Sequence, residues 1–358
     1  MRGFLAIVTL AGAVLFSADR AAAIDPYAGN DPYWVLLHEP AVLDELQLSA
    51  AKRQSYRERL DELDLRFFPL RNKPAETALA GAKEIIAEAR ESMKTLLTPP
   101  KSKRLTQILL RKIGTPALLR DDVRERLRYT DEQRKQMAEI MEKTKAAVAE
   151  VEQMLLEGKP REPLDKEYVE LMQQEYQRIQ ELLTPEQRSA WREMLGPAFD
   201  LAKLGRPAFK APELVDTGAW INSPPLQLKE LRGKVVVVHF YAFSCINCIH
   251  NYPWYRAWHD RFHDQGVVVL GIHTPETAGE KDLENVRRKA SEDKFEFPVL
   301  VDGQNENWNA WGNSMWPSVY LIDKRGYLRQ FWPGELNWQG GKGEEYMRGQ
   351  IESLMAEK

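Results

Sequence analysis

The sequence predicts an all-α N-terminal domain followed by an α/β C-terminal domain. Between residues 24 and 198, apolar side chains recur three or four positions apart, which places them on one face of a helix. Further along the chain, short apolar runs alternate with helical segments, the pattern of a sheet with helices on both faces. Pro207 and Pro212 interrupt residues 199–214, which predicts a linker into a C-terminal domain at 206–358.

The length and composition agree with this division. A chain of 358 residues exceeds what one hydrophobic core usually organises, so two domains are expected. The chain is 43% hydrophobic and 29% charged, the balance of a globular protein rather than a disordered or membrane-spanning one. Its formal net charge is -3 and no basic cluster stands out, so the sequence predicts no nucleic-acid binding.

The first residues have the layout of a secretory signal peptide. Arg2 precedes an apolar run from Gly3 to Phe16, and Ala21-Ala22-Ala23 supplies small residues for cleavage. The run is shorter than the roughly 20 residues of a membrane-spanning helix, although an uncleaved anchor is the alternative. We therefore predict a signal peptide over residues 1–23, export to the periplasm or another extracytoplasmic compartment, and no membrane-spanning segment.

Two helix starts in the N-terminal region carry a complete capping box. Thr130 and Thr184 are each followed three residues later by a glutamine, Gln133 and Gln187. In this arrangement the hydroxyl and the amide satisfy N–H groups that have no partner within the helix. Pro185 occupies the first helical position, where its missing N–H costs nothing.

Similar but incomplete signals begin at Ser49 and Thr98. The spacing from Ser49 to Thr130 is close to that from Thr98 to Thr184, which predicts an internal duplication. The Leu-Thr-Pro-Glu-Gln run at 183–187 resembles a motif of Spy-type periplasmic chaperones, although effective helix capping alone also explains it. If the resemblance holds, it implies a chaperone-like or partner-binding helical region.

The sequence of the C-terminal region predicts a series of strands and helices. Buried strands are expected at Val235–Tyr241, Val267–His273 and Phe297–Val301, with a hairpin formed by Ser318–Ile322 and Tyr327–Phe331. Helices are expected up to Phe262, near Lys281–Ser291, near Trp308, and at the C-terminus through Tyr346, Ile351 and Leu354.

Cys245 and Cys248 are the candidate catalytic residues. They are the chain's two cysteines, and a disulfide scaffold would carry more and space them widely. The pair follows the strand Val235–Tyr241, so Cys245 is expected at a helix N-terminus, where a thiolate is favoured. Cys248 lies one turn later, within reach of a mixed disulfide. The pattern predicts a redox-active disulfide with Cys245 as nucleophile and Cys248 as resolving thiol.

Two other chemistries use cysteines in comparable patterns, zinc binding and peroxide reduction. His259 and His263 complete a superficial two-Cys, two-His zinc pattern, but the interval from Cys248 to His259 is shorter than in zinc fingers. A peroxiredoxin needs a Thr or Ser where this chain has Ala242, and a proline ahead of it. The sequence therefore predicts neither a metal nor a cofactor.

Several runs in this region resemble extracytoplasmic thioredoxin-like oxidoreductases of the TlpA/ResA type, and most closely the thioredoxin domain of DipZ proteins. The runs lie at 220–226, 231–234, 243–248, 271–276 and 316–323. The resemblance covers about residues 206–358. It implies a thiol–disulfide oxidoreductase that acts on protein thiols, exchanges electrons with an extracytoplasmic donor or acceptor, and contributes to cell redox homeostasis.

The resemblance also implies roles for individual residues. Pro317 corresponds to the cis-proline that faces the disulfide, and the backbone of Trp316 would pair with an extended substrate segment. Pro253 corresponds to the proline that kinks the active-site helix. Ser244 and Asn247 flank the cysteines as supporting residues.

Two positions depart from the family pattern. His239 stands six residues before Cys245, where thioredoxins have a buried Asp that accepts the proton of the second thiol. A buried imidazole could take this role, or it could be an ordinary core histidine. Asn251 stands where ResA-type proteins place an acid, and it could orient a water but not take up a proton.

The helical region supports a second hypothesis about function. In it, binding of clients or partners by residues 24–198 is the main activity, and the redox domain is accessory. The sequence does not distinguish a reductant from an oxidant.

Overall fold

The computed structural model describes residues 31–205 and 207–357. The predicted signal peptide lies outside these residues. The described chain divides into two compact units, one of residues 97–204 and one that combines residues 31–96 with the C-terminal part from Gly205. No helix within the described residues is long and apolar enough to cross a membrane.

The first helices belong to the unit that contains the sheet. Ser49 begins the longest of the first three by accepting a hydrogen bond from the N–H of Lys52. The next helix buries Ala78, Ile85 and Met93 on one face. These helices are α1 (Pro32–Leu37), α2 (Pro40–Glu45), α3 (Ala50–Phe67) and α4 (Ala75–Leu96), with a 3-10 helix at Phe68–Asn72 between the last two.

The unit of residues 97–204 is helical throughout its regular structure. Its helices are α5 (Pro99–Ile113), α6 (Asp121–Leu127), α7 (Asp131–Leu156), α8 (Arg161–Leu182) and α9 (Pro185–Leu195). Both predicted capping boxes are confirmed at Thr130 and Thr184. The two glutamines also bind each other, with Gln133 Nε2 donating to Gln187 Oε1 at 2.9 Å. This contact holds the starts of α7 and α9 together, while the internal duplication stays a prediction.

The C-terminal region forms a mixed sheet with the order β1-β7-β6-β3-β4-β5-β2. The strands are β1 (Phe209–Lys210), β2 (Trp220–Ile221), β3 (Val235–Tyr241), β4 (Val267–His273), β5 (Val299–Val301), β6 (Ser318–Ile322) and β7 (Tyr327–Pro333). The central strands β3, β4 and β5 run parallel, and β6 and β7 are antiparallel. The helices are α10 (Ile246–Phe262), α11 (Leu283–Glu292), α12 (Glu306–Ala310) and α13 (Gly343–Ala356). The predicted fold class is confirmed.

Strand β3 is buried along its whole length, and its side chains alternate between two packed faces. Val235, Val237 and Tyr241 share a core with Cys248 and other residues of α10. On the other face, Phe240 contacts the rings of Trp308, Trp311 and Tyr320. The sheet therefore needs a cover on each side.

Arg71 fastens the N-terminal helices to the face that carries Phe240. This buried arginine donates from Nη1 to the Tyr320 hydroxyl at 2.9 Å, and its guanidinium lies 4.2 Å from the Phe331 ring centroid. At Gly312 the backbones come so close that a Cβ atom would lie 2.0 Å from the carbonyl oxygen of Phe68. The helices up to Leu96 thus form part of the same core as the sheet.

This packing differs from the predicted grouping of residues 24–198 into one helical domain. Helical periodicity shows that a helix has an apolar face but not which element covers it. The predicted linker also contains structure, because Phe209–Lys210 forms the edge strand β1 and pairs with β7. A two-residue strand has no periodicity for sequence analysis to detect. This packing does not test which segments fold separately, so the predicted domain boundaries stay a prediction.

A buried pair, His38 and Asp64, supports strand β1. The Lys210 N–H donates to Asp64 at 2.7 Å, and the other Asp64 oxygen lies 2.9 Å from His38 Nε2. Burial alone would lower the pKa of His38, but the Asp64 carboxylate outweighs burial and the pKa is raised. The predicted linker is therefore anchored to α3.

We predict that Arg71→Ala destabilises the unit that contains the sheet by about 2–4 kcal/mol, because it leaves a cavity and removes the donor to the buried Tyr320 hydroxyl, which keeps Asn313 as its acceptor. Urea denaturation of the full chain, followed by tryptophan fluorescence, measures this loss. Arg66→Ala is the matched control, since Arg66 lies on α3 in an exposed ion pair with Glu88. Equal losses in the two variants would contradict a special role for Arg71.

Candidate active site

The two cysteines lie at the start of α10, directly after the central strand of the sheet. Strand β3 ends at Tyr241, a short turn follows, and Cys245 is the N-cap residue of the helix. Cys245 is partly exposed and Cys248 is buried, and both are free thiols. The helix N-terminus directs unpaired N–H groups and a partial positive charge towards Cys245.

The surroundings of Cys245 favour its thiolate. A hydrogen bond from the Cys248 thiol is the main cause that lowers the pKa of Cys245, which is about 7. The backbone N–H groups of Cys248 and Asn247 lower it further, while burial and the charge of Glu276 oppose them. A nucleophile that is ionised near neutral pH is the requirement for thiol–disulfide exchange.

Cys248 has the opposite character. Its pKa is raised, first by burial and then by its hydrogen bond to Cys245 and the charge of that thiolate. Its neighbours in the core include Tyr252 and Tyr255 of α10. The two thiols are therefore distinct, with a reactive outer sulfur and a protonated inner one.

Pro317 and Trp316 lie at the start of strand β6. The bond between them is cis, the geometry that the family resemblance implies. The Pro317 carbonyl accepts a hydrogen bond from the Gly334 N–H at 2.7 Å. The half-buried Trp316 stacks on Trp308 with ring centroids 4.1 Å apart, and it packs against the core that contains Cys248. The predicted role in substrate binding stays a prediction.

Asn251 is buried and binds protein groups with both ends of its amide. Its Nδ2 donates to the Tyr255 hydroxyl at 3.0 Å and to the Gly334 carbonyl at 3.4 Å. Its Oδ1 accepts from the Leu336 N–H at 2.9 Å. Because Gly334 also binds Pro317, Asn251 connects α10 to the segment that holds the cis-proline. Through these contacts Asn251 links α10 to Gly334 and Leu336, and its predicted ability to orient a water stays a prediction.

His239 faces the same core as α10, but it is isolated from polar groups. Its ring stacks on Tyr255 with centroids 4.0 Å apart, and neither ring nitrogen has a hydrogen-bond partner among the described residues. Burial lowers the pKa of His239 to about 3. The imidazole is thus neutral at physiological pH and a weak proton acceptor, and its predicted role in proton transfer stays a prediction.

The remaining supporting residues surround the cysteines in different ways. Ser244 is exposed, and both its N–H and its hydroxyl donate to Glu280, at 2.8 and 2.6 Å. Asn247 contributes its backbone N–H to the Cys245 thiolate. Pro253 lies inside α10, where it cannot donate the N–H of a regular helix.

Sequence reasoning missed Glu276 and Glu280, which follow strand β4. Glu276 acts on both thiols through its charge, and Glu280 binds the residue before Cys245. One signal could have found the second of them, because Thr277 and Glu280 form a capping box of the same kind as those in the helical region.

His259 and His263 lie near the other end of α10 from the cysteines. His259 lies eleven positions after Cys248 on the helix, about 16 Å along the axis. Zinc ligands all lie within about 2.3 Å of the metal, so these residues cannot form one zinc site in this conformation. Within the described residues, no group of three or more His, Cys, Asp or Glu side chains could hold a metal ion.

Comparison with known proteins identifies the class of the C-terminal domain. Residues 206–331 match the sequence model of the AhpC/TSA family. The chain is 41% identical over 128 residues to Protein DipZ of Mycobacterium bovis, which aligns 35% of this chain with 18% of that protein. It is 27% identical over 146 residues to the thiol-disulfide oxidoreductase YkuV of Bacillus subtilis, covering 41% of this chain and 94% of that protein.

Solved structures include a similar thiol-disulfide isomerase from Corynebacterium glutamicum. It is 28% identical, with a TM-score of 0.37, and the match covers 41% of this chain and 98% of that one. The chain spans less than a fifth of the length of the DipZ protein it matches. The C-terminal domain is a thioredoxin-like domain, as the sequence resemblance predicts, and its relatives include proteins named thiol-disulfide oxidoreductases.

We predict that alkylation of Cys245 by iodoacetamide rises with pH through a midpoint near 7 and then levels off. With the pKa of Cys245 at about 7, about half of the thiol is ionised at pH 7, whereas a thiol of pKa 9.0 is about 1% ionised. Mass spectrometry of the full chain assigns the modification to Cys245 and follows its rate from pH 5 to 10. A midpoint near 9 would contradict the proposed stabilisation of the thiolate.

Two substitutions of Cys248 provide the control for this titration. Cys248→Ala removes the main hydrogen-bond donor to Cys245, so the midpoint should move to higher pH. Cys248→Ser keeps a hydroxyl donor, so its midpoint should stay closer to that of the unchanged protein. If the two variants have the same midpoint, the side-chain hydrogen bond from Cys248 is not what lowers the pKa of Cys245.

His239→Ala tests the predicted role of the imidazole. A proton acceptor in the transition state contributes roughly a hundredfold or more to a rate. Because the pKa of His239 is about 3, we expect removal of its imidazole to lower the exchange rate far less than that. Insulin-reduction kinetics measure the rate, and circular dichroism checks that the variant is folded. A hundredfold loss in a folded variant would establish proton transfer, whereas unchanged kinetics would exclude it.

Proposed function

We propose that this protein is an exported thiol–disulfide oxidoreductase that exchanges disulfides with protein thiols through Cys245 and Cys248. The observation that carries the proposal is the opposed acidity of the two thiols. The pKa of the partly exposed Cys245 is lowered to about 7, and the pKa of the buried Cys248 is raised. This difference determines which sulfur meets the substrate and which one resolves the intermediate.

The proposed reaction in the reducing direction has two steps. The Cys245 thiolate attacks one sulfur of a substrate disulfide, and the other substrate sulfur leaves as a thiolate that takes up a proton. Cys248 then loses its proton and attacks Cys245 Sγ, which releases the second substrate sulfur. The substrate gains two electrons and two protons, and the cysteine pair becomes a disulfide. The reverse sequence oxidises a substrate dithiol.

The geometry around the cysteines supports this sequence. Cys248 is the third residue after Cys245 on the first turn of α10, so the resolving sulfur lies beside the mixed disulfide. The pair is reoxidised or rereduced by an extracytoplasmic partner, and no cofactor takes part. Export rests on the predicted signal peptide, and protein substrates rest on the oxidoreductase names of the relatives.

The direction of electron flow is set by the reduction potential. A potential near about -120 mV identifies an oxidant, and one below about -220 mV identifies a reductant that needs an electron donor. The measurement should use the full chain, since the helices up to Leu96 belong to the same compact unit as the sheet.

We predict that Cys245→Ser abolishes the acceleration that the full chain gives to the reduction of insulin by dithiothreitol. Serine cannot form a disulfide, so the first step is lost. Cys248→Ser should complete the first step only, and it should accumulate a mixed disulfide visible on non-reducing gels. The paired variants control for each other, because each replaces one sulfur by oxygen.

Two outcomes would contradict the proposal. Retained insulin reduction in Cys245→Ser would place the activity elsewhere. Rapid consumption of hydrogen peroxide by the unchanged protein, lost in Cys245→Ser, without disulfide exchange would establish the peroxide chemistry that Ala242 argues against.

A further inference from the structure

Glu280 is a fully buried carboxylate that the proposed exchange reaction does not use. It lies in a 3-10 helix, Ala278–Lys281, in the segment after strand β4. Its Oε1 accepts from the N–H and the hydroxyl of Ser244, at 2.8 and 2.6 Å. One end of the side chain is therefore bound to the residue that immediately precedes Cys245.

The other oxygen of Glu280 accepts hydrogen bonds from residues of its own loop. Oε2 accepts from the N–H groups of Glu276 and Thr277, at 2.7 and 2.8 Å, and from the Thr277 hydroxyl at 3.2 Å. Both carboxylate oxygens face donors, so an amide in this place would direct its NH2 group at one set of N–H groups. A carboxylate is thus required to hold both segments at once.

The surroundings of Glu280 stabilise the negative charge of its carboxylate. Burial raises the pKa of Glu280, but the hydrogen bonds from Ser244, Thr277 and Glu276 outweigh it and the pKa is lowered. A buried charge is costly unless it is fully hydrogen-bonded, and these donors meet that condition. His273 also interacts with Glu280; burial lowers the pKa of His273 to about 4, so it is neutral at pH 7.

The two segments that Glu280 joins both act on Cys245. One carries Ser244 into the turn that presents Cys245 to the N–H groups of α10. The other carries Glu276, whose charge opposes ionisation of Cys245. Cys248, Tyr252 and Tyr255, all on α10, are further titratable groups that interact with Cys245.

We propose that Glu280 is a positioning residue that fixes the Cys245 turn against the loop bearing Glu276, and that Glu276 tunes the reactivity of Cys245 from that loop. The importance of this tuning rests on the proposed function. Its test does not, because ionisation of Cys245 is measured without any redox substrate.

The experiment is a double-mutant cycle on the alkylation titration of Cys245 in the full chain. Glu276→Gln should increase the thiolate fraction below pH 7 by about 1.4- to 5-fold, the effect expected of one exposed charge. Glu280→Gln should move the midpoint to higher pH, because the released turn loses its alignment with the hydrogen-bond donors of Cys248, and this loss outweighs the withdrawal of the opposing Glu276 charge. In the double variant, the effect of Glu276→Gln should disappear, because its loop is no longer held near Cys245.

Glu284→Gln is the matched control, since it removes an exposed negative charge a few residues along the same segment. It should leave the titration unchanged. A folded Glu280→Gln variant with an unchanged midpoint, or an equal Glu276→Gln effect in both backgrounds, would overturn the proposal. If Glu280→Gln does not fold by circular dichroism, Ser244→Ala replaces it in the cycle. This variant removes the hydroxyl donor, so it should weaken the Glu276→Gln effect, and an undiminished effect would overturn the proposal.

Discussion

The structure of the sheet-containing unit depends on the burial of strand β3 on both faces. Each of its residues from Val235 to Tyr241 is buried, so apolar side chains point in both directions and each side needs its own cover. Helix α10 supplies one cover and brings the cysteines with it. On the other side, Arg71 from the N-terminal region binds Tyr320, whose ring contacts Phe240. Part of the helical region thus belongs to the same compact unit as the sheet.

The chemistry of the site follows from where this strand ends. A buried strand that leads directly into a helix places the first helical N–H groups at the edge of the core, with solvent on one side and apolar packing on the other. Cys245 lies at this boundary and Cys248 lies one turn inside it. The same short run of sequence therefore contains one thiol whose pKa is lowered and one whose pKa is raised. In a fully solvated Cys-x-x-Cys segment, the pKa values of the two thiols would not be separated in this way.

The sequence predicted those features that are local. Strands β3 and β4, helix α10 and the capping boxes at Thr130 and Thr184 depend on residue order and periodicity, and the structure has them where they were expected. What the sequence could not predict are contacts between distant segments. The insertion of Arg71 beside Tyr320 and the anchoring of Lys210 to Asp64 join residues more than a hundred positions apart, and neither leaves a periodic signal. The same limit explains why Glu280 was missed, since its role is visible only when Ser244 lies beside it.

The acidic groups at this site lie on a different element from the acids in the family pattern. The family pattern places acids beneath the second cysteine and on the active-site helix, where this chain has His239 and Asn251. In this structure burial lowers the pKa of His239 to about 3, and the Asn251 amide binds Tyr255, Gly334 and Leu336. The role of His239 in proton transfer stays a prediction. The carboxylates come instead from the loop after β4, where Glu276 acts on both thiols and Glu280 binds the turn before Cys245. Because a loop is easier to displace than a strand or a helix, the acidity of Cys245 depends on an element whose position one buried carboxylate maintains. A substrate that displaced this loop would therefore alter the nucleophile that it meets.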